Sequence, residues 1–153
     1  MEQACRSAVA HHDNRTPQMG TGRDQCRVVL WGGFMLRAAG KLIYFAGDTG
    51  YGTGSIFRAM RQQFGPVDLA LLPIGAYDPR WFMAAQHVDP EEAVQIMLDL
   101  DAKAALGIHW STFRLTDEDR DEPATRLAAR MAEINAAPGR FVAMAPADVF
   151  QFV

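Results

Sequence analysis

The stretch that decides the fold reads Lys41-Leu42-Ile43-Tyr44-Phe45-Ala46-Gly47-Asp48-Thr49-Gly50-Tyr51-Gly52. Its apolar run, Leu42 to Ala46, has the composition of a strand and stops abruptly at a glycine-flanked carboxylate, Asp48. A strand of this kind holds the carboxylate at its carboxyl end, where ligands and active sites collect in layered α/β folds. The alternative interpretation is an ordinary aspartate in a turn or at a helix N-cap.

The composition indicates one globular domain. The chain has 153 residues, of which 49% are hydrophobic and 22% charged, and its formal net charge is −3. Such a chain can bury a sizeable core. It has no long basic block, which argues against a nucleic-acid partner. Its first residues lack the apolar core of a signal peptide, and no apolar run approaches the roughly 18 residues of a membrane span. We therefore expect a cytoplasmic protein.

Strand and helix patterns alternate along most of the chain, so the predicted class is α/β with antiparallel hairpins at the edges. Residues 1–27 show no sustained period and are predicted to form an irregular N-terminal segment, followed by an ordered αβ part over residues 28–153. A hairpin is predicted over residues 28–46. The other predicted strands are residues 67–73, 103–108, 141–144 and 149–153, and the predicted helices are residues 55–64 and those that begin at Asp89 and Glu122.

Two histidines stand near the ends of predicted elements. His109 directly follows the strand of residues 103–108, and His87 precedes the helix that begins at Asp89. A single histidine after a buried strand is more often structural than a ligand. Neutral histidine and carboxylate are nevertheless the ligand types that zinc takes from separate strand ends. The residue types therefore suggest a metal site that includes Asp48, although their long-range spacing does not establish one.

Longer stretches carry a more specific resemblance. They are Leu30–Phe34, Tyr44–Tyr51, Phe64–Met83, Gln86–Val94 and Ile108–Phe113. Together they resemble the metallo-β-lactamase superfamily and, within it, the branch of N-acyl-phosphatidylethanolamine-hydrolysing phospholipase D. The resemblance implies the C-terminal half of an αββα sandwich, built from a mixed sheet with helices. It also implies two zinc ions and hydrolysis of the phosphodiester of N-acyl phosphatidylethanolamine-type lipids.

The resemblance implies roles for single residues. Asp48 corresponds to an aspartate that bridges the two zinc ions, and His109 to a ligand of the second zinc. His87 corresponds to a histidine beside the substrate phosphate, so His87 and Asp48 are the expected catalytic residues. Gln86 stands next to His87 and is expected to bind substrate.

The first zinc would take an upstream histidine. His11 aligns with that ligand because Arg15-Thr16-Pro17 follows it, as in the family, and His12 is the alternative. The family's His-x-His-x-Asp-His motif is absent, since the four histidines are His11, His12, His87 and His109. We therefore expect that the first half of the sandwich is missing and that one copy of the chain cannot complete a two-zinc site.

Aromatic and charged residues lie together between the strand of residues 67–73 and the next helix. Tyr77, Arg80 and Trp81 are predicted to bind substrate, because an arginine with aromatic residues suits a phosphodiester head group attached to apolar chains. Packing of a buried loop is the alternative. A lipid substrate would bring the protein into peripheral contact with a membrane.

Two other functions remain open. One alternative is a non-catalytic fragment, or one subunit of a split hydrolase, that needs its N-terminal half. The other alternative is a related lactonase or esterase of the superfamily. The expected partners are a phospholipid or another phosphodiester substrate, together with the missing half or a second copy of the chain. An uncovered sheet face would favour such association.

Overall fold

The computed structural model describes residues 5–11, 31–145 and 147–151. These residues form one mixed sheet of six strands, in the order β1-β2-β3-β4-β5-β6, with four helices. The predicted α/β class is confirmed. In chain order the elements are β1 (Cys5–His11), β2 (Trp31–Ala38), β3 (Lys41–Phe45), α1 (Ser55–Phe64), β4 (Leu69–Pro73), α2 (Arg80–Met83), α3 (Pro90–Asp99), β5 (Ala104–Ile108), α4 (Glu122–Glu133) and β6 (Phe141–Ala143).

The predicted hairpin is present in β2 and β3, which pair antiparallel from Phe34↔Phe45 to Ala38↔Lys41. Ala39 and Gly40 make the turn with φ angles of 48° and 73°. Left-handed backbone at both central positions matches the twist of the strands that a two-residue turn joins. The first three residues of the prediction, 28–30, lie outside the described residues.

The prediction of an irregular N-terminal segment is wrong for β1. This strand pairs antiparallel with β2 over seven residue pairs, from Cys5↔Arg37 to His11↔Trp31. Its central residues are small, so they show little strand pattern of their own. The strand forms because β2 offers a complete row of backbone partners, which no local pattern reveals.

The helices cover one face of the sheet. From β3 to β6 the neighbouring strands run parallel, so α1, α3 and α4 lie on the connections between them. The core that results contains residues from the inner faces of both layers, namely Met35, Leu42, Tyr44, Phe57, Met60, Ala70, Leu72, Val94, Met97, Ala105, Leu127, Met131 and Phe141. Burial of these side chains is the main term that holds the layers together.

The opposite face, here called the outer sheet face, is apolar and partly open. Phe34 and Phe45 lie directly opposite each other across β2 and β3, with 56% and 42% of their surface exposed. Leu71 of β4 and Leu106 of β5 point the same way and are only partly buried. A sheet face meant for water carries polar residues at these positions. This face therefore has the composition of one that packs against another layer.

Local sequence signals correctly predicted both ends of α1 and the start of α3. The prediction for α1 is confirmed at both ends. Asp89 caps α3 and forms a reciprocal capping box with Glu92, as Asp-Pro-Glu-Glu predicts. On α3, Ile96 is buried, whereas Leu98 is 37% exposed.

The C-terminal end also differs from expectation. The strand predicted over residues 149–153 is absent from residues 149–151, and the last two residues lie outside the described part of the chain. Phe141–Ala143 remains the last strand in the sheet. No helix among the described residues is long and apolar enough to cross a bilayer.

Candidate metal centre

Three side chains converge at one edge of the sheet. Asp48, His87 and His109 each offer a ligand atom, and these atoms lie within 4.8 Å of one another. Nε2 of His109 is 3.4 Å from Oδ1 of Asp48, within the separation of about 3–4 Å that two ligands of one zinc require. The imidazole rings of His87 and His109 are 5.5 Å apart between centroids and inclined by 31°. We call these residues the three-residue cluster.

Strand topology brings Asp48 and His109 together. Asp48 follows β3 and His109 follows β5, and both strands run parallel to β4 between them. Their carboxyl ends therefore meet the same edge, two strand spacings of about 4.8 Å apart. The two side chains close this gap above the end of β4. The sequence predicted this meeting from the positions of the two residues at strand ends.

His109 turns away from its strand through an unusual backbone conformation. Its φ is 60°, in the left-handed region that a residue with a Cβ rarely adopts. Gly75 lies against it, so that a Cβ on Gly75 would stand 2.5 Å from the carbonyl oxygen of His109. Strain of this kind costs about 1–3 kcal/mol and persists where the surroundings enforce it.

His87 reaches the cluster on a loop that is fixed to the Gly-Asp-Thr-Gly segment. The backbone N–H of Val88 donates to the carbonyl oxygen of Thr49 at 2.9 Å. A Cβ on Gly50 would lie 2.5 Å from the carbonyl oxygen of Ala85. Glycine at position 50 therefore lets the loop before His87 pass close over the Asp48 turn.

Arg80 holds the same loop from the other side. Its Nη1 donates to the carbonyl oxygen of His87 at 2.8 Å, and its Nη2 donates to Oε2 of Glu92 at 2.7 Å. Its Nε lies 3.4 Å from Oδ2 of Asp89. The sequence predicted that Arg80 binds substrate, whereas the structure engages all three guanidinium nitrogens in shaping the loop.

Tyr77 also packs rather than faces an opening. It is 1% exposed, and its hydroxyl donates to Oε1 of Glu122 at 2.9 Å. The guanidinium of Arg126 stacks over its ring at 4.6 Å. Burial and the Glu122 contact raise the pKa of Tyr77. For Tyr77 the structure favours the alternative of loop packing over the predicted substrate contact.

The other predicted substrate residues remain accessible. Trp81 is 86% exposed, and Gln86, which precedes His87, is half-buried. No described contact assigns either of them a role, so both stay predictions. His11 ends β1 opposite Trp31 in the register, but its side chain and the whole of His12 lie outside the described residues.

The chemistry of the cluster suits a metal cation. Burial lowers the pKa of His87, and the neighbouring His109 acts in the same direction, while the Asp48 carboxylate partly offsets them. A lowered pKa keeps the imidazole of His87 neutral, which is the form that binds a metal. Nδ1 of His87 is buried and has no hydrogen-bond partner in the described part of the chain. An unsatisfied buried nitrogen beside a carboxylate and a second imidazole fits a cation site.

One residue that organises the site was missed by sequence reasoning. The carboxylate of Glu118 accepts hydrogen bonds from the N–H groups of Ala76 and Asp78 and from Oγ1 of Thr116. It thereby ties the loop after β5 to the loop after β4. The run of acidic residues around position 118 gave no local signal of which one turns inward.

Comparison with known proteins places this architecture in a family. Residues 4–110 match the family described as the Beta-lactamase superfamily domain. The chain belongs to this superfamily. Among curated proteins, it is 41% identical over 103 residues to N-acyl-phosphatidylethanolamine-hydrolyzing phospholipase D 1 of Caenorhabditis elegans, an alignment that covers 67% of this chain and 29% of the relative.

A second relative gives the same picture. The mitochondrial N-acyl-phosphatidylethanolamine-hydrolyzing phospholipase D of Saccharomyces cerevisiae is 41% identical over 122 residues, covering 76% of this chain and 26% of the relative. This superfamily chain thus spans under a third of the length of these curated relatives. The predicted family resemblance is confirmed.

Solved structures agree on the fold. A metallo hydrolase from Ignicoccus hospitalis is 20% identical, with a TM-score of 0.60 over 97% of this chain and 54% of that one. The metallo-β-lactamase fold protein YhfI of Bacillus subtilis is 14% identical, with a TM-score of 0.59 over 97% of this chain and 52% of that one. This superfamily chain therefore corresponds to about half of each larger fold.

Proposed function

We propose that this chain is the C-terminal, metal-binding part of a zinc-dependent phosphodiesterase that hydrolyses N-acyl phosphatidylethanolamine-type lipids. The observation that carries the proposal is the convergence of Asp48, His87 and His109 within 4.8 Å at the carboxyl ends of parallel strands. The lipid substrate rests on the names of the two phospholipase D relatives, each 41% identical over the aligned part.

Asp48 and His109 would hold the zinc, joined by His11 from the end of β1. Zinc in such a site acts as a Lewis acid and makes water a nucleophile near neutral pH. Asp48 and His109 belong to the ends of a rigid parallel sheet, so their donor atoms are preorganised for binding. Neither residue needs to act as a nucleophile.

His87 would act on the substrate phosphate. Its imidazole belongs to the same cluster, and Arg80 and Thr49 hold its loop in place. From there it can donate a hydrogen bond to a phosphoryl oxygen on which negative charge develops. Loss of His87 would therefore reduce hydrolysis more than it reduces zinc binding.

A second polypeptide segment would complete the protein. The three-residue cluster supplies fewer ligands than two zinc ions need, and the outer sheet face carries Phe34 and Phe45 in the open. A half-domain with its own apolar sheet face and the His-x-His-x-Asp-His motif would cover the face and supply the remaining ligands. The split-hydrolase alternative predicts the same partner, supplied by another chain.

Contact with a lipid surface follows from the substrate. Trp81 and Phe82 are 86% and 60% exposed and adjoin each other on α2, with ring centroids 5.7 Å apart. Neighbouring exposed aromatic rings suit the interface between lipid head groups and acyl chains. We therefore propose a cytoplasmic protein that touches the membrane peripherally.

Complementation tests this function. Mixing the chain with a separately expressed first half that carries the His-x-His-x-Asp-His motif should yield zinc-dependent release of phosphatidic acid from N-acyl phosphatidylethanolamine. Asp48→Asn should abolish the release. Asp101→Asn, at an exposed ion pair with Arg61, is the matched control and should leave the release unchanged. Turnover that survives Asp48→Asn, or hydrolysis of lactones in its place, would contradict the proposal.

A further inference from the structure

A cavity of about 430 Å³ opens beside the three-residue cluster. It lies within the range of roughly 300–1,000 Å³ typical of small-molecule sites. His109 belongs both to the cluster and to the wall of this cavity. The rest of the wall comes mainly from the loop after β5, residues 110–120, with Gly75 and Ala76 opposite. A ligand in this cavity would thus adjoin the proposed reaction centre.

One wall of the cavity is apolar. Trp110, Phe113, Leu115 and Pro123 line it, and Phe113 and Leu115 are 78% and 70% exposed. These two side chains flank Arg114 in the sequence. Large apolar residues left open around a cavity favour a ligand with an apolar part.

The cavity also presents unused cationic donors. Arg114 is the one arginine or lysine among the described side chains that makes no hydrogen bond or ion pair. Arg120 uses only its Nε, which donates to Oγ of Ser111 at 3.2 Å. Guanidinium groups with free donors suit the oxygens of a phosphate.

The acidic residues of the wall compete with an anion to different degrees. The carboxylate of Glu118 already accepts three hydrogen bonds, from Ala76, Asp78 and Thr116. Asp119 is exposed, and in the described part of the chain its carboxylate makes no ion pair or hydrogen bond that would neutralise it. Asp119 is therefore the residue that weakens anion binding in this cavity.

We propose that this cavity binds the alkyl phosphate portion of the substrate, with Arg114 pairing with the phosphate and Phe113 and Leu115 contacting the chain. The substrate class rests on the proposed phosphodiesterase function. Binding of an alkyl phosphate in this cavity does not depend on that function. The contacts proposed for the phosphate and for the alkyl chain involve none of the ligand atoms of Asp48, His87 and His109.

Calorimetric titration of the full chain in the presence of EDTA tests the proposal without any contribution from metal. The probes are hexyl phosphate, inorganic phosphate and hexanol. Hexyl phosphate should bind at least ten-fold more tightly than either of the others, because only it carries both the charge and the chain. Lengthening the chain should tighten binding by up to about three- to four-fold per methylene group that becomes buried.

Variants separate the contributions of charge and alkyl chain to binding. Arg114→Gln should weaken the binding of hexyl phosphate by roughly ten- to a hundred-fold, as expected for loss of a charged hydrogen bond, and leave the binding of hexanol unchanged. Arg61→Gln, on the surface of α1, is the matched control and should not change any titration. Phe113→Ser should reduce the dependence of binding affinity on the length of the alkyl chain. Asp119→Asn should make hexyl phosphate bind more tightly.

Two outcomes would overturn the proposal: Arg114→Gln that binds hexyl phosphate as the wild type does, or hexyl phosphate that binds no better than inorganic phosphate. Asp48→Asn should keep hexyl phosphate binding, since the titration excludes metal. If hexyl phosphate still binds while the complemented protein fails to hydrolyse phosphodiesters, the subsite is supported and the proposed function is wrong. If hydrolysis occurs but hexyl phosphate binding does not depend on Arg114, only the subsite proposal is wrong.

Discussion

Arg80 donates a hydrogen bond to the carbonyl oxygen of His87 at 2.8 Å while its other donors reach Glu92 and Asp89. One guanidinium thus connects the loop of a candidate catalytic histidine to the capped end of α3. The contact makes Arg80 a positioning residue, and its removal should disturb His87 before it disturbs the sheet.

The first prediction is that Arg80→Gln lowers the free energy of unfolding by about 1–3 kcal/mol, because two carboxylates and one carbonyl lose a charged partner. It should also shift the imidazole NMR signals of His87. Arg61→Gln removes an exposed pair with Asp101 and serves as control, with an expected loss below about 1 kcal/mol. Unchanged His87 signals in Arg80→Gln would show that the loop is held by other contacts.

Gly50→Ala should displace the loop before His87, because the added Cβ would meet the carbonyl oxygen of Ala85 at 2.5 Å. We expect a loss of about 1–3 kcal/mol in urea denaturation and weaker zinc binding. Gly52→Asn is a suitable control: a side chain there meets open space, and asparagine tolerates its φ of 56°. Equal zinc affinity in Gly50→Ala and wild type would count against the close approach.

Asp68 should make stability depend on pH. Its Oδ1 accepts from Nζ of Lys103 and its Oδ2 from the N–H of Leu42, each at 2.7 Å. The Lys103 contact, followed by the Leu42 contact, lowers the pKa of Asp68 below its usual 3.8. A depressed pKa contributes stability that is present above the unfolded pKa and is lost as pH falls through the folded pKa.

Asp68→Asn should therefore be less stable than wild type at pH 7 by about 1–3 kcal/mol, and the difference should shrink below about pH 4. Urea denaturation at pH 7, 5 and 3.5 measures this. Asp101→Asn, at a more exposed ion pair, should show a smaller and flatter difference. A gap between wild type and Asp68→Asn that stays constant over this range would rule out the linkage.

Zinc should bind weakly to the chain alone, because Asp48, His87 and His109 are the only described donors that cluster. After dialysis against a mild chelator, metal analysis should find well under one zinc per chain. Competition with a zinc-binding dye should show that His109→Ala lowers the affinity for zinc at least ten-fold and that His87→Ala lowers it less. Stoichiometric zinc that survives dialysis of a monomer would refute the incomplete site.

The outer sheet face should drive self-association of the isolated chain. Phe34→Ser combined with Phe45→Ser removes the exposed pair of rings and should shift the sedimentation profile toward monomer. Val149→Ser changes an 85% exposed residue outside the sheet and should leave the profile unchanged. A wild-type chain that sediments as a monomer at high concentration would show that the face is not adhesive.

The features that could be predicted from the sequence are those set by strand topology and by local signals. Asp48 and His109 each follow an apolar strand, and parallel neighbouring strands bring such positions to one edge. The alternation of strands and helices likewise predicted the class, and Asp89 with Glu92 predicted the start of α3. In each case the information is local, or follows from a rule that relates local elements.

Other features depend on contacts between distant segments. Tyr77 and Arg80 have the chemistry of a phosphate site and also that of a buried ion network, and only the positions of Glu92 and Glu122 decide between the two. β1 exists because β2 pairs with it. The closeness of His87 to Asp48 depends on Gly50 passing under Ala85, which no pattern in either segment specifies.

Phe45 and Asp48 lie on one short segment, with only Ala46 and Gly47 between them. A partner layer that covers Phe45 and a cation that binds Asp48 would therefore order the same stretch of backbone. Binding free energies coupled in this way are reciprocal, so each ligand must raise the affinity for the other by the same factor. Removing metal would then loosen the assembly, and separating the halves would release metal, which makes zinc release a direct reporter of dissociation.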